Sequence, residues 1–163
     1  LGRVAGGGGC VSGAWSGVKD VVWRFFTGGE TPPPPPPPTT FRLRSESAGR
    51  CLDVNGAGSS NGSQMIIWDC HSNANQRFTQ NGQTLQVMGK CLDVPSNAAA
   101  GAQVRIWDCQ GGANQQWNLN SNGTISNVQS GLCLDVNGAG TANGTAAIVW
   151  NCHTGANQRW ARA

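Results

Sequence analysis

Charge is scarce in this sequence. Asp, Glu, Lys and Arg make up 12% of its 163 residues, about half the usual share. Only two lysines are present, Lys19 and Lys90, and the net charge of +3 rests mainly on scattered arginines. A nucleic-acid binder concentrates Lys and Arg on one face or stripe, so no nucleic-acid partner is expected. No apolar run approaches the roughly 20 residues of a membrane-spanning helix, which argues against membrane insertion. The N-terminal region carries a glycine run, Gly6 to Gly9, where a secretory leader would carry its apolar segment. No stretch sustains a 3.6-residue apolar period, so helices are not expected either. No C-x2-C pair occurs, and the ligand spacing of structural zinc sites is therefore missing. His71 and His153 each follow a cysteine, but Gln110 stands at the corresponding middle position. Neither a metal nor a cofactor is expected.

What the chain does have is repetition. Cys-Leu-Asp-Val occurs three times, from Cys51, Cys91 and Cys133, at separations of 40 and 42 residues. Each copy is followed by a Trp-Asp/Asn-Cys triplet: Trp68-Asp69-Cys70, Trp107-Asp108-Cys109 and Trp150-Asn151-Cys152. Each repeat then closes on Asn-Gln-x-aromatic, ending at Phe78, Trp117 and Trp160. A fixed period of this length marks a repeat architecture. Six of the seven cysteines fall at equivalent places in the repeats. Six thiols allow 15 connectivities, and repeat symmetry favours Cys51–Cys70, Cys91–Cys109 and Cys133–Cys152. So many cysteines in a small chain predict an oxidising, extracellular location.

Three segments follow from composition. Residues 1–26 are Gly-rich and then aromatic (Val21 to Phe26). They read as the tail of a preceding domain or a poorly ordered segment, or as a strand awaiting a partner. Cys10 is either a bridge to that missing part or a free thiol. Residues 27–40 form a linker with seven consecutive prolines, Pro32 to Pro38. Such a run adopts polyproline II and acts as a semi-rigid spacer; a ligand for a proline-recognition domain is the alternative. The chain starts at Leu1 rather than Met, which suggests the C-terminal piece of a longer secreted protein.

Residues 41–163 hold the repeats, at about 41–79, 80–119 and 120–163. Short runs rich in branched or aromatic residues, such as Gln64 to Trp68 and Ala147 to Trp150, alternate with Asn-Gly turns. That pattern predicts an all-β domain with about four strands per repeat. A propeller uses similar units but needs at least four blades, so three copies point to a closed three-fold arrangement. With C-L-D-V, W-D-C and N-Q-x-W in order, the segment resembles the ricin B-type lectin family, also counted among the carbohydrate-binding modules of bacterial glycoside hydrolases. The resemblance implies a β-trefoil, a six-stranded barrel capped by three hairpins.

It also implies roles. Asp53, Asp93 and Asp135 would accept bonds from adjacent sugar hydroxyls, as a carboxylate with two oxygens can; as turn residues they would instead satisfy backbone N–H groups. Trp68, Trp107 and Trp150 would stack on the C–H face of a pyranose, while Phe78, Trp117 and Trp160 fill the barrel. Asn75, Asn114 and Asn157 would complete the clamp with donors and an acceptor. Gln76, Gln115 and Gln158, counted with the binding set, would orient the aspartates from behind. Some family members carry a glutamine two residues before the stacking aromatic; Ile66, Arg105 and Ile148 stand there instead. That departure puts galactose specificity of the plant-lectin kind, and the number of binding lobes, in question.

Catalysis by this segment is not expected. Glycoside hydrolysis needs two neighbouring carboxylates in different protonation states, and three symmetry-related aspartates do not supply them. The resemblance implies a polysaccharide or oligosaccharide ligand, such as xylan, arabinan or galactan, and a glycoside hydrolase domain covalently attached through the linker. A stand-alone secreted lectin or adhesin for galactose-type glycans is the other reading.

Overall fold

The computed structural model describes residues 33–34 and 39–163. The expectations for residues 1–26, for Cys10 and for the polyproline conformation of the linker fall outside these residues, save for Pro33, Pro34, Thr39 and Thr40.

The repeats fold as predicted, into short antiparallel strands. The first contains β1 (Thr40–Phe41), β2 (Leu43–Ser45), β3 (Cys51–Val54), β4 (Met65–Trp68) and β5 (Phe78–Asn81). The second contains β6 (Thr84–Val87), β7 (Lys90–Asp93), β8 (Arg105–Trp107) and β9 (Trp117–Leu119). The third contains β10 (Ile125–Asn127), β11 (Cys133–Val136), β12 (Ala147–Trp150) and β13 (Trp160–Arg162). The last strand of each repeat pairs with the first of the next: β5 with β6 and β9 with β10. The third repeat returns to the first through β13 and β2, with Trp160 opposite Ser45 and Arg162 opposite Leu43. The result is a trefoil of three small antiparallel sheets.

Strand alternation assigns the side chains. In the central hairpins β3–β4, β7–β8 and β11–β12, one face sends Leu52, Val54, Met65 and Ile67 and their counterparts into the core. The other face carries Cys51, Asp53, Ile66 and Trp68 and their counterparts. Phe78, Trp117 and Trp160 are 0%, 1% and 7% exposed and join the core, where the resemblance put them. Burying an indole requires a partner for its N–H: Trp117 Nε1 donates to the Leu92 carbonyl at 3.0 Å and Trp160 Nε1 to the Leu134 carbonyl at 3.1 Å. The three disulfides link Cys51–Cys70, Cys91–Cys109 and Cys133–Cys152, one within each repeat.

The lobes are joined in a ring by their hairpin turns. Gly62 of the first repeat donates to the Ile106 carbonyl of the second at 2.8 Å, Gly101 to Val149 at 2.7 Å and Gly144 to Ile67 at 2.8 Å. Each turn thus lands beside the tryptophan of the following lobe, the third serving the first. Asn143 and Asn61 add reciprocal pairs with Asp69 and Asp108, their amides donating to the carboxylates and accepting from the same residues' N–H groups. Arg50 and Lys90 pair with those same carboxylates. At the third lobe, Ala100 of the second repeat's turn and Leu132 occupy the corresponding places, and the acid is replaced by Asn151. Charge is absent where its partners are absent.

Candidate functional site

The site in each lobe is built on the outer face of its hairpin. After each Trp the chain crosses this face, and a 3-10 turn (Ala74–Gln76, Ala113–Gln115 or Ala156–Gln158) delivers the Asn-Gln pair to the aspartate. Gln76 donates to Asp53 Oδ2 at 2.8 Å and to the Asp69 carbonyl at 2.9 Å, and its oxygen accepts from the His71 N–H at 2.9 Å. Gln115 and Gln158 repeat the arrangement around Asp93 and Asp135. All three glutamines are 0% exposed and fix the carboxylate to the loop behind it.

The asparagines are placed differently from the expectation that they offer donors. Asn75 Nδ2 donates to Asp53 Oδ1 at 3.1 Å and to the Val54 carbonyl at 3.4 Å. Both amide hydrogens are thereby used, and Oδ1 remains as an acceptor. Asn114 and Asn157 are committed in the same way.

Histidines that the motif reading had set aside also belong here. His71 Nε2 lies 3.4 Å from Asp53 Oδ2, and His153 Nε2 lies 3.7 Å from Asp135 Oδ2. Their Nδ1 atoms accept from the N–H groups of Asn73 and Gly155, so the neutral ring carries its proton on Nε2, facing the carboxylate. Burial pushes the Asp53 and Asp135 carboxyls above their ordinary value, against the opposing bonds from Gln76 or Gln158 and the opposing pull of the histidine.

In front of these groups the first lobe has a hollow of about 350 Å3 lined by Asp53, Ile66, Trp68, His71 and Asn75, floored by the Asn55–Ala57 turn. The third lobe has its counterpart, about 340 Å3, on Asp135, Ile148, Trp150, His153 and Asn157 with the Asn137–Ala139 turn. Trp68 and Trp150 are 43% and 44% exposed, which for an indole leaves a large apolar face to solvent. Ala57 and Ala139 take left-handed φ values of 54° and 53°, a conformation that costs a residue with a Cβ of order 1 kcal/mol or more. Asn97, at the same place in the middle lobe's turn, is left-handed as well, with φ 61°. A larger hollow, about 580 Å3, lies on Arg44, Glu46, Arg159 and Trp160; it includes none of the three aspartates and lacks an exposed aromatic face.

The middle lobe departs from its neighbours. Arg105 stands directly across the hairpin from Asp93, as Ile66 and Ile148 stand across from Asp53 and Asp135. Its Nε donates to Asp93 Oδ1 at 2.8 Å, and its guanidinium carbon lies 4.5 Å from the Trp107 ring centroid. Trp107 is half-buried. Gln110 replaces the histidine, and Pro95-Ser96-Asn97 replaces the Asn-Gly-Ala turn.

The structure therefore brings Asp, Trp, Asn and Gln together in all three lobes, with the glutamines behind and the tryptophan open in two. The residues missed from the sequence are His71, His153 and the two turns. Their signal was present: both features occur in the first and third repeats and are absent from the second.

Comparison with known proteins bears on this arrangement. The family model described as the Ricin-type beta-trefoil lectin domain matches residues 39–160. The designed three-fold symmetric protein ThreeFoil is 29% identical at a TM-score of 0.69, over 76% of this chain and 97% of its own. A non-toxic homologue of type II RIPs from Momordica charantia (bitter gourd), in complex with α-methyl-D-galactoside, is 30% identical at 0.70, over 78% of this chain and 48% of that one. An exo-β-1,3-galactanase from Clostridium thermocellum shares the fold at 24% identity and 0.68, over 77% of this chain and 30% of that one. The chain thus spans about half the length of the plant protein and less than a third of the bacterial enzyme.

Proposed function

Since this chain belongs to the ricin-type β-trefoil lectin family, we propose that it is a non-catalytic, secreted carbohydrate-binding module that holds galactose-type residues of a polysaccharide in its first and third lobes. The observation that carries this reading is the pairing, twice over, of an exposed indole face with a buried carboxylate at one rim of the same hollow. Two adjacent hydroxyls of a pyranose would donate to Asp53 or Asp135. Asn75 or Asn157 Oδ1 would accept a further hydroxyl proton, while His71 or His153 keeps its Nε2–H on the carboxylate. Trp68 or Trp150 would cover the C–H face.

An axial hydroxyl, as in galactose, gathers polar groups at one edge of the ring and leaves a contiguous C–H face for an aromatic partner. The galactoside complex of the Momordica protein supports that choice. Three disulfides support an oxidising, extracellular place of work. The proline run and the occurrence of this fold within a longer galactanase chain support attachment to a glycoside hydrolase, which the module would keep near galactan, with xylan and arabinan as the competing polymers. A free-standing secreted lectin would use the same two sites.

The test is depletion of the whole chain from solution by insoluble galactan or arabinogalactan, xylan, cellulose and chitin, with free galactose or xylose as competitor. Retention on the galactose-bearing polymer, released by galactose and not by xylose, is expected. Retention on none of the polymers would overturn the reading.

A further inference from the structure

We propose that the middle lobe is a third site of the same design, shut by its own Arg105, so that this one residue sets the molecule's valency at two. The inference rests on the carbohydrate reading above. Behind the site nothing is missing. Asp93 is 1% exposed and accepts from Asn114 at 3.2 Å and Gln115 at 2.9 Å, both at Oδ2. In the third lobe the corresponding donors also share Oδ2 of Asp135, and among the described residues no protein group donates to its Oδ1. In the middle lobe the matching oxygen is the one Arg105 takes.

The same guanidinium lies on Trp107, so it fills both places a pyranose would use: the carboxylate edge and the indole face. A planar cation with N–H donors is a fair stand-in for a ring with hydroxyl donors, and the carboxylate binds it with charge on both sides. A neutral sugar competes poorly, since it must lift Arg105 off a buried carboxylate and leave that charge with a weaker partner. Arg105 also supplies the compensation that a histidine supplies in the other lobes, where Gln110 cannot.

The test follows the three indole N–H resonances by NMR during a galactose titration of the full chain. In the unaltered protein those of Trp68 and Trp150 should shift and that of Trp107 should not. In Arg105→Ile, which installs the residue of the other two lobes, the Trp107 resonance should shift as well, with the Trp68 and Trp150 shifts in the same sample reporting an intact fold. The second arm uses Trp68→Ala/Trp150→Ala: it should not be retained on galactan, and adding Arg105→Ile should restore retention to the level of a one-site molecule such as Trp68→Ala alone. A Trp107 response in the unaltered protein, or no new response in Arg105→Ile, would overturn the proposal. So would binding of a uronic-acid polymer by the double variant that disappears with Arg105→Ile, since Arg105 would then be reading charge. Absence of any indole shift in the unaltered protein would instead sink the carbohydrate reading itself.

Discussion

A carboxylate that is to accept a sugar hydroxyl must be ionised, and in this molecule burial works against ionisation. Asp53 and Asp135 are each 3% exposed and their carboxyls are raised, chiefly by burial. Acidification should therefore abolish binding at a pH above the ordinary aspartate value of about 3.9, because the protonated group becomes a donor where an acceptor is needed. The exposed carboxyls shift the other way: bonds from Asn143 hold Asp69 below its usual value and bonds from Lys90 do the same for Asp108. A raised carboxyl stabilises the fold below its unfolded pKa, and that contribution is lost as pH rises through the folded value. A depressed one stabilises above the unfolded pKa, and its contribution is lost as pH falls through the folded value. On acidification binding should fail first and Tm should fall later, and parallel titration of affinity and Tm checks the order. Asp53→Asn should weaken the first lobe's site about 10-fold or more, the scale of a bond to a charged acceptor, and should lower Tm at pH 7 as well, because both carboxylate oxygens accept from amide donors and the new NH2 would face one of them; calorimetry and thermal melts follow the two effects.

At the scale of the hairpin, each site depends on a neighbour. A methyl group at Gly144 would meet the Trp68 ring at 4.0 Å, an ordinary contact, but φ there is 91°, a conformation that strains any residue with a Cβ. Gly144→Ala should lower stability by about 1–3 kcal/mol and disturb the Trp68 indole resonance while leaving Trp107 unchanged, although residue 144 belongs to the third repeat. The glutamine hubs act within a lobe. Gln115→Ala would remove a donor from the buried Asp93 carboxylate at about 1–3 kcal/mol for a buried group left unpaired, read as a lower denaturation midpoint with galactose affinity of the other lobes unchanged. The strands were legible because β-branched runs between Asn-Gly turns leave few alternatives. The role of Gln76, Gln115 and Gln158 behind the aspartates was legible only through the family resemblance. That the asparagine donors are already spent was not legible, since two of the acceptors concerned are backbone carbonyls 21 residues away, as for Asn75.

For the whole molecule, valency and covalent closure are the properties to measure. The two proposed sites, held in one domain, would gain from effective concentration, which can raise apparent affinity for a polymer by about 10²–10⁴ over one site. Trp68→Ala or Trp150→Ala alone should therefore lose most of the polymer affinity yet keep millimolar-class binding of free galactose, and the pair should lose both; depletion assays with polymer and titration with monosaccharide distinguish these. Trp107→Ala should change neither. Reduction of the disulfides should cost about 3 kcal/mol for each loop of this length in the chain-entropy model, visible as a lower Tm in the presence of a reductant.

The sequence by itself determined what repetition determines. Three copies of one motif set three lobes, one cysteine pair per lobe and two aromatic sets of different fate, because identical local patterns must find equivalent environments in a closed three-fold fold. Tertiary structure alone decided which lobes are open. Arg105 differs from Ile66 and Ile148 in a single letter, and nothing in that letter says where its guanidinium lies. The answer comes from hairpin register, which sets Arg105 opposite Asp93, and from strand alternation, which puts Trp107 on the same face. A buried carboxylate beside a flexible cation then closes on it, and the neighbouring lobes, with isoleucine in that place, stay free.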